Sequence, residues 1–187
     1  MKKLLFDNCY FPHTLIPPRG VGGLLLLIFV CFFLTMPASA QVTKKLYDEK
    51  IDPLVQIDEA LQKAKSSGKY VICQVGGNWC PWCLRFADFI TADDSIARVV
   101  ENNFVYIHVN YSRRGSEQSV NTPAMLKRLG NPGRFGYPVM VVLDSEGRVL
   151  HTQDSSFLEE DKGYNRDKVL RFFNGWTPRA VKGEEIR

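Results

Sequence analysis

Residues 70–83 read Tyr70-Val71-Ile72-Cys73-Gln74-Val75-Gly76-Gly77-Asn78-Trp79-Cys80-Pro81-Trp82-Cys83. An apolar, partly β-branched run ends in two glycines, and a pair of cysteines three residues apart follows between tryptophans. Tyr70 to Val75 has the pattern of a strand buried on both faces. From Pro81 onward the apolar positions Leu84, Phe86, Ala87 and Ile90 move to helical spacing. The cysteine pair therefore falls where a strand runs directly into a helix.

Upstream, Asp52-Pro53 is a helix start: an N-cap carboxylate, then proline at the first helical position, where its missing N–H is harmless. Leu54, Ile57, Leu61 and Ala64 keep helical spacing, and Ser67-Gly68 supplies the stop. Residues 41–51 are polar without a clear period and read as an arm. Downstream, Asp94 is expected to cap a helix over residues 95–102, and residues 104–109 read as a second strand. Thr122-Pro123 opens a short helix with Leu126 and Leu129 inward. Residues 139–143 form a third strand, 144–147 a turn, and 149–152 its antiparallel return. A last helix is expected over residues 165–174. The order is α-β-α-α-β-α-β-β-α. Strands separated by helices imply parallel crossovers, and the closing hairpin adds an antiparallel edge. This predicts a three-layer α/β domain over residues 52–176, one mixed sheet with helices on both faces, and a tail over 177–187.

The beginning of the chain has a different character. Lys2, Lys3 and Arg19 precede an uncharged apolar run over residues 21–34, and Pro37-Ala38-Ser39-Ala40 closes it. Basic, then apolar, then small-x-small is the order of a secretory signal peptide, here residues 1–40 with cleavage expected near Ala40. The alternative is an uncleaved membrane anchor, which needs about 20 apolar residues; this run reaches that length only if residues 35–40 are counted. Bulky Phe29 and Val30 before Cys31 argue against lipid attachment. The expected location is periplasmic or secreted. The chain carries 24 Lys and Arg against 20 Asp and Glu, a near balance that excludes a nucleic-acid binder.

Beyond the leader the cysteines are Cys73, Cys80 and Cys83. An odd count excludes a fully paired framework within one chain. Cys80 stands at a helix N-terminus, where free N–H groups and the helix dipole favour an anion. Such a position, or a C-x-x-C partner, lowers a thiol from about 8.5 to roughly 3.5–7.5. A drop of about 1.5 units takes only around 2 kcal/mol. Cys80 is the expected nucleophile, and Cys83, one turn deeper, resolves the mixed disulfide. A closed zinc site needs four ligands; no second C-x-x-C exists and His108 and His151 stand alone, so neither metal nor cofactor is expected. A copper-thiolate role or a non-catalytic binding module is the alternative. Mid-strand Cys73 reads as a small buried hydrophobe, and His108 as a satisfied strand histidine. Trp79 is expected to cover the thiols. Trp82, given no core role on an exposed helix start, is expected to tune access or potential. Residues 113–121 are a candidate rim.

Trp79-Cys80-Pro81-Trp82-Cys83 after a buried strand, Tyr137-Pro138 before the next one, and the closing hairpin resemble the thioredoxin fold. With the segment ADDSIARVVENNFVYIHVN, the chain is similar to the exported thioredoxin-like group that includes the C-terminal domain of the transmembrane disulfide reductase. The resemblance covers residues 50–175. A monomer is expected, and the exported location allows either an oxidant or a reductant fed by an inner-membrane thiol carrier; the resemblance implies thiol–disulfide exchange with cysteines of other exported proteins. It also implies a cis bond at Tyr137-Pro138 facing the cysteines, and client docking on Trp79, Trp82, Tyr137 and Pro138. Only X-Pro tolerates cis at modest cost, and proline's missing N–H leaves the preceding backbone free to pair with a peptide. Gln74 departs from the family: thioredoxin carries a buried acid there that moves the deeper thiol's proton, and glutamine cannot titrate. On that reading Gln74→Glu speeds exchange and Gln74→Leu changes it little.

Overall fold

The computed structural model describes residues 45–112 and 121–183. The leader, its cleavage position near Ala40 and residues 113–120 of the rim expected over 113–121 lie outside them. The first helix, α1 (Pro53–Ser67), begins where the Asp52 carboxylate accepts the Leu54 N–H at 2.9 Å. It ends at Gly68, whose φ of 67° is left-handed, a conformation that glycine adopts without a Cβ penalty. Strand β1 (Tyr70–Gly76) follows, buried at every residue.

Helix α2 (Pro81–Ala92) is followed by α3 (Asp94–Asn103) and strand β2 (Phe104–Asn110). The cap of α3 is Asp93 rather than the expected Asp94: its carboxylate takes the Ser95 and Ile96 N–H groups at 2.9 and 3.0 Å. Helix α4 (Thr122–Arg128) turns Met125 fully inward with Leu129, while Leu126 is only half-buried. Strands β3 (Val139–Leu143) and β4 (Val149–Asp154) form the hairpin. Its turn is tied by the Asp144 carboxylate, which accepts from the Glu146 and Arg148 N–H groups at 3.0 and 2.9 Å.

The sheet order is β2-β1-β3-β4. β1 and β2 are parallel, Tyr70 opposite Phe104 and Gly76 opposite Asn110. β3 runs antiparallel to β1, with Val139 beside Val75 and Leu143 beside Val71, so the expected second parallel crossover does not occur. Seven-residue α4 rises about 10 Å at 1.5 Å per residue. A strand the length of β1 spans about 23 Å. The helix alone does not return the chain, and β3 starts at the end where β2 stopped.

Strand alternation sends the two faces of β1 into separate cores. Tyr70 and Ile72 join Phe86 and Ile90 of α2, Ile96 of α3, and Met140 and Val142 of β3. Val71, Cys73 and Val75 meet Ile57, Ala60 and Ala64 of α1 and Met125 of α4 on the other side. Each fully buried Ile, Val or Phe in such a core contributes about 1.5–3 kcal/mol, so β1 anchors both layers. The chain then makes a small hairpin, β5 (Glu159–Glu160) with β6 (Gly163–Tyr164). Helix α5 (Arg166–Gly175), capped by Asn165, packs Val169, Phe172 and Phe173 onto the first core. The segment read as a tail contains a further short helix, α6 (Pro178–Lys182), capped by Thr177. No described helix is long and apolar enough to cross a membrane.

Candidate active site

β1 ends at Gly76 and α2 begins at Pro81, with Cys80 as its N-cap. Cys80 and Cys83 form a disulfide, their Cα atoms 5.2 Å apart. Proline at the first helical position and the absence of an acidic side chain in the first turn leave nothing there to oppose a negative charge on Cys80. The Cys83 N–H already points at Cys80 Sγ, at 3.2 Å. The Tyr137–Pro138 peptide is cis, and the Tyr137 carbonyl oxygen lies 3.7 Å from Cys80 Sγ. The two loops thus meet at one sulfur.

Aromatic rings surround that sulfur. Trp79 donates its indole N–H to the Tyr111 carbonyl at 2.9 Å and meets Tyr137 edge-on at 5.6 Å. Tyr137 stacks on Tyr111 at 4.9 Å. Both Trp79 and Tyr137 are half-buried. Trp82 does have a packing role: its ring meets Tyr164 at 5.5 Å, Arg85 lies over it at 4.6 Å, and its carbonyl accepts the Tyr164 hydroxyl at 3.1 Å. The hairpin β5–β6, absent from the sequence reading, supplies that partner.

Behind the disulfide the structure builds something the motif does not announce. Cys83 is fully buried. Gly76 leaves the space its sulfur fills: a Cβ on Gly76 would stand 2.5 Å from Cys83 Sγ and 2.9 Å from the Tyr47 hydroxyl. Tyr47, read as part of a polar arm, is 2 % exposed and clusters with both cysteines. Asn78 clamps the arm, taking the Leu46 and Tyr47 N–H groups at 2.9 and 3.0 Å and donating to the Tyr47 carbonyl at 2.8 Å. The only sequence signal was the apolar pair Leu46-Tyr47 inside a polar stretch.

Gln74 completes this region. Its amide nitrogen donates to the Cys83 carbonyl at 2.9 Å and to the Tyr47 hydroxyl at 2.5 Å, and its oxygen accepts the Tyr106 hydroxyl at 2.6 Å. A side chain fully buried and bonded in three directions is a built part of the site. Burial holds the Tyr47 and Tyr106 phenols above their ordinary values, so both stay neutral. His108 stands edge-on to both rings, at 5.3 and 5.4 Å. Cys73 faces the opposite core, and burial pushes its thiol up to about 12. It is inert where it sits. Among the described residues no cluster of three His, Cys, Asp or Glu side chains is arranged for a metal.

A three-layer mixed sheet with a C-x-x-C bridge at a strand-to-helix junction defines a thioredoxin-fold protein. The model of the Thioredox_DsbH family, described as protein of unknown function, DUF255, matches residues 34–174. The chain belongs to that family. A disulphide isomerase from Xylella fastidiosa Temecula1 has a similar structure, with a TM-score of 0.57 and 23% identity over 68% of this chain and 93% of that one; the likeness is one of fold. The C-terminal domain of Neisseria meningitidis DsbD in its oxidised form gives a TM-score of 0.45 at 20% identity, over 67% of this chain and 96% of that one. An uncharacterized Caenorhabditis elegans protein, B0495.5, is 31% identical over 85 residues, 46% of this chain and 11% of that much longer protein.

Proposed function

We propose that this protein is a thiol–disulfide oxidoreductase acting on cysteines of exported proteins, with Cys80 as nucleophile and Cys83 as resolving thiol. The observation that carries the reading is the Cys80–Cys83 disulfide at the N-cap of α2, with the Tyr137 carbonyl beside the outer sulfur. The helix N-terminus stabilises a Cys80 thiolate, which attacks a client disulfide. The Cys83 thiolate then attacks Cys80, closing the bridge and releasing a client thiol; the reverse sequence oxidises a client. Trp79, Trp82, Tyr137 and Pro138 are the proposed docking surface, with an extended client pairing to the Tyr137 backbone. Export rests on the leader over residues 1–40, and an inner-membrane thiol carrier is the proposed electron source if the protein reduces its clients.

Cys83→Ser keeps the attacking thiol and removes the resolving one, so mixed disulfides accumulate and turnover is abolished. Cys80→Ser traps nothing. Non-reducing gels with mass spectrometry of the adducts read both, and trapping by Cys80→Ser alone would reverse the roles. Exchange with a model disulfide is expected without added metal. Activity lost on chelation and restored by copper or zinc would favour the copper-thiolate alternative instead.

A further inference from the structure

The region behind Cys83 has a hydrogen-bond polarity that can be worked out from its members. The Cys83 carbonyl can only accept, so the Gln74 atom facing it, 2.9 Å away, is the amide nitrogen. The other Gln74 atom is then oxygen, and the Tyr106 hydroxyl must donate to it. The second hydrogen of the Gln74 nitrogen goes to the Tyr47 oxygen. Tyr47 is therefore an acceptor toward Gln74, and its own hydrogen is directed elsewhere. That hydroxyl and Cys83 Sγ close on the same space beside Gly76. No hydrogen bond joins them in the oxidised form, where the sulfur is a weak acceptor.

We propose that, when the Cys80–Cys83 bridge opens, the Tyr47 hydroxyl donates to the Cys83 sulfur and stabilises its thiolate. The proposal rests on the exchange function above. In the resolving step Cys83 releases its proton to solvent and its thiolate attacks Cys80 of the mixed disulfide. The Cys80–Cys83 bond forms, the Cys80–client bond breaks, and the client thiolate takes up a proton, so no further oxidant or reductant enters. Tyr47 keeps its own proton throughout, consistent with a phenol that burial holds neutral. Gln74 orients it, and Asn78 fixes the segment that carries it. The other titratable groups around the pocket are His108 and Tyr106 on β2, Tyr164 on β6, and Cys80 itself; Glu49 on the arm meets Asn78 at 3.1 Å.

The test is a titration of Cys83 followed by thiolate ultraviolet absorbance in purified Cys80→Ser protein, which needs no turnover. A hydrogen bond to a charged group sets the scale: adding Tyr47→Phe raises the Cys83 midpoint by about one to two units. A ring-fluorinated tyrosine at position 47, a stronger donor, lowers it. A purely structural role for Tyr47 would reduce stability without moving the midpoint in opposite directions for the two replacements. If Tyr47→Phe does not fold, the fluorinated ring alone decides by its sign. An unmoved or oppositely moved midpoint overturns the proposal. In the protein with both cysteines, Tyr47→Phe slows resolution of a preformed mixed disulfide about tenfold or more at neutral pH, a loss recovered as pH rises. Failure of the exchange function itself looks different: the unsubstituted protein then exchanges with no disulfide, while the Cys83 titration can still be read.

Discussion

The two sulfurs of one disulfide occupy unlike surroundings. Cys80 is 4 % exposed, lies beside the Tyr137 carbonyl and is ringed by half-buried Trp79 and Tyr137. Cys83 is fully buried against Gly76 and Tyr47, and Gln74 holds its carbonyl. The outer environment is made chiefly by residues 79–83 together with Tyr137 and Pro138. The inner one is assembled from positions 47, 74, 76, 78 and 106, spread over an arm, two strands and a loop. A short motif can place a thiol at a helix end. The chemistry of its partner depends on what the tertiary fold puts behind it.

The largest effect on the inner side is expected from Gln74→Leu. It leaves the buried Tyr106 hydroxyl without its acceptor and takes the amide donor from the Tyr47 hydroxyl and the Cys83 carbonyl, at about 1–3 kcal/mol for a buried group left unsatisfied. Denaturant unfolding should show that loss, and exchange should slow with it. Gln74→Glu is no full remedy: held neutral by burial, its single O–H can serve the Cys83 carbonyl or the Tyr47 hydroxyl but not both, as the amide does; it too should be less stable and slower. This reverses the expectation drawn from the missing acid alone. Unchanged stability in Gln74→Leu would show that the inner network is ornamental.

Gly76→Ala comes next and separates the sulfurs by sterics. The backbone there needs no left-handed conformation, so the new methyl acts only through the space claimed by Cys83 Sγ and the Tyr47 hydroxyl. Overpacking of this kind costs about 1–3 kcal/mol. The variant should be less stable and should hold the bridge less well, read as a higher reduced fraction in a glutathione buffer. An oxidised fraction equal to that of the unsubstituted protein would mean that Gly76 is not the seat of Cys83.

These expectations mark how far the sequence could be read. The start of α1 at Asp52-Pro53, the fully buried β1 and the dithiol at its end follow from local rules, because caps, prolines and periodicity act within a turn or two. The direction of β3 was not legible, since the connection over residues 111–138 is long enough to bring the chain to either end of the sheet. Tyr47 was missed for a related reason. One aromatic in a short polar arm has no period, and its burial is decided by Asn78, 31 residues away. The packing of Trp82 was hidden because Tyr164 belongs to strands only two residues long.

The smallest effect is expected remote from both sulfurs. The Ile96 N–H and then Arg166, 2.6 Å away, hold the Asp93 carboxyl below the usual carboxylate range. A depressed folded-state value means that the stabilisation is present at neutral pH and is lost as pH falls through the acid range. Asp93→Asn keeps a capping side chain but loses the ion pair with α5. Urea unfolding at several pH values should therefore show a gap between the two proteins at neutral pH that closes on acidification, with exchange unchanged. A gap that widened toward acid would have the wrong sign.

The difference between the sulfurs is most directly tested by limiting alkylation of the reduced, folded protein, with the modified cysteine identified by mass spectrometry across a pH series. Cys80 is predicted to react first, at a pH below that of an ordinary thiol, while Cys83 and Cys73 stay unmodified until the protein is unfolded. Modification of Cys83 ahead of Cys80, or of both at one rate, would contradict the account.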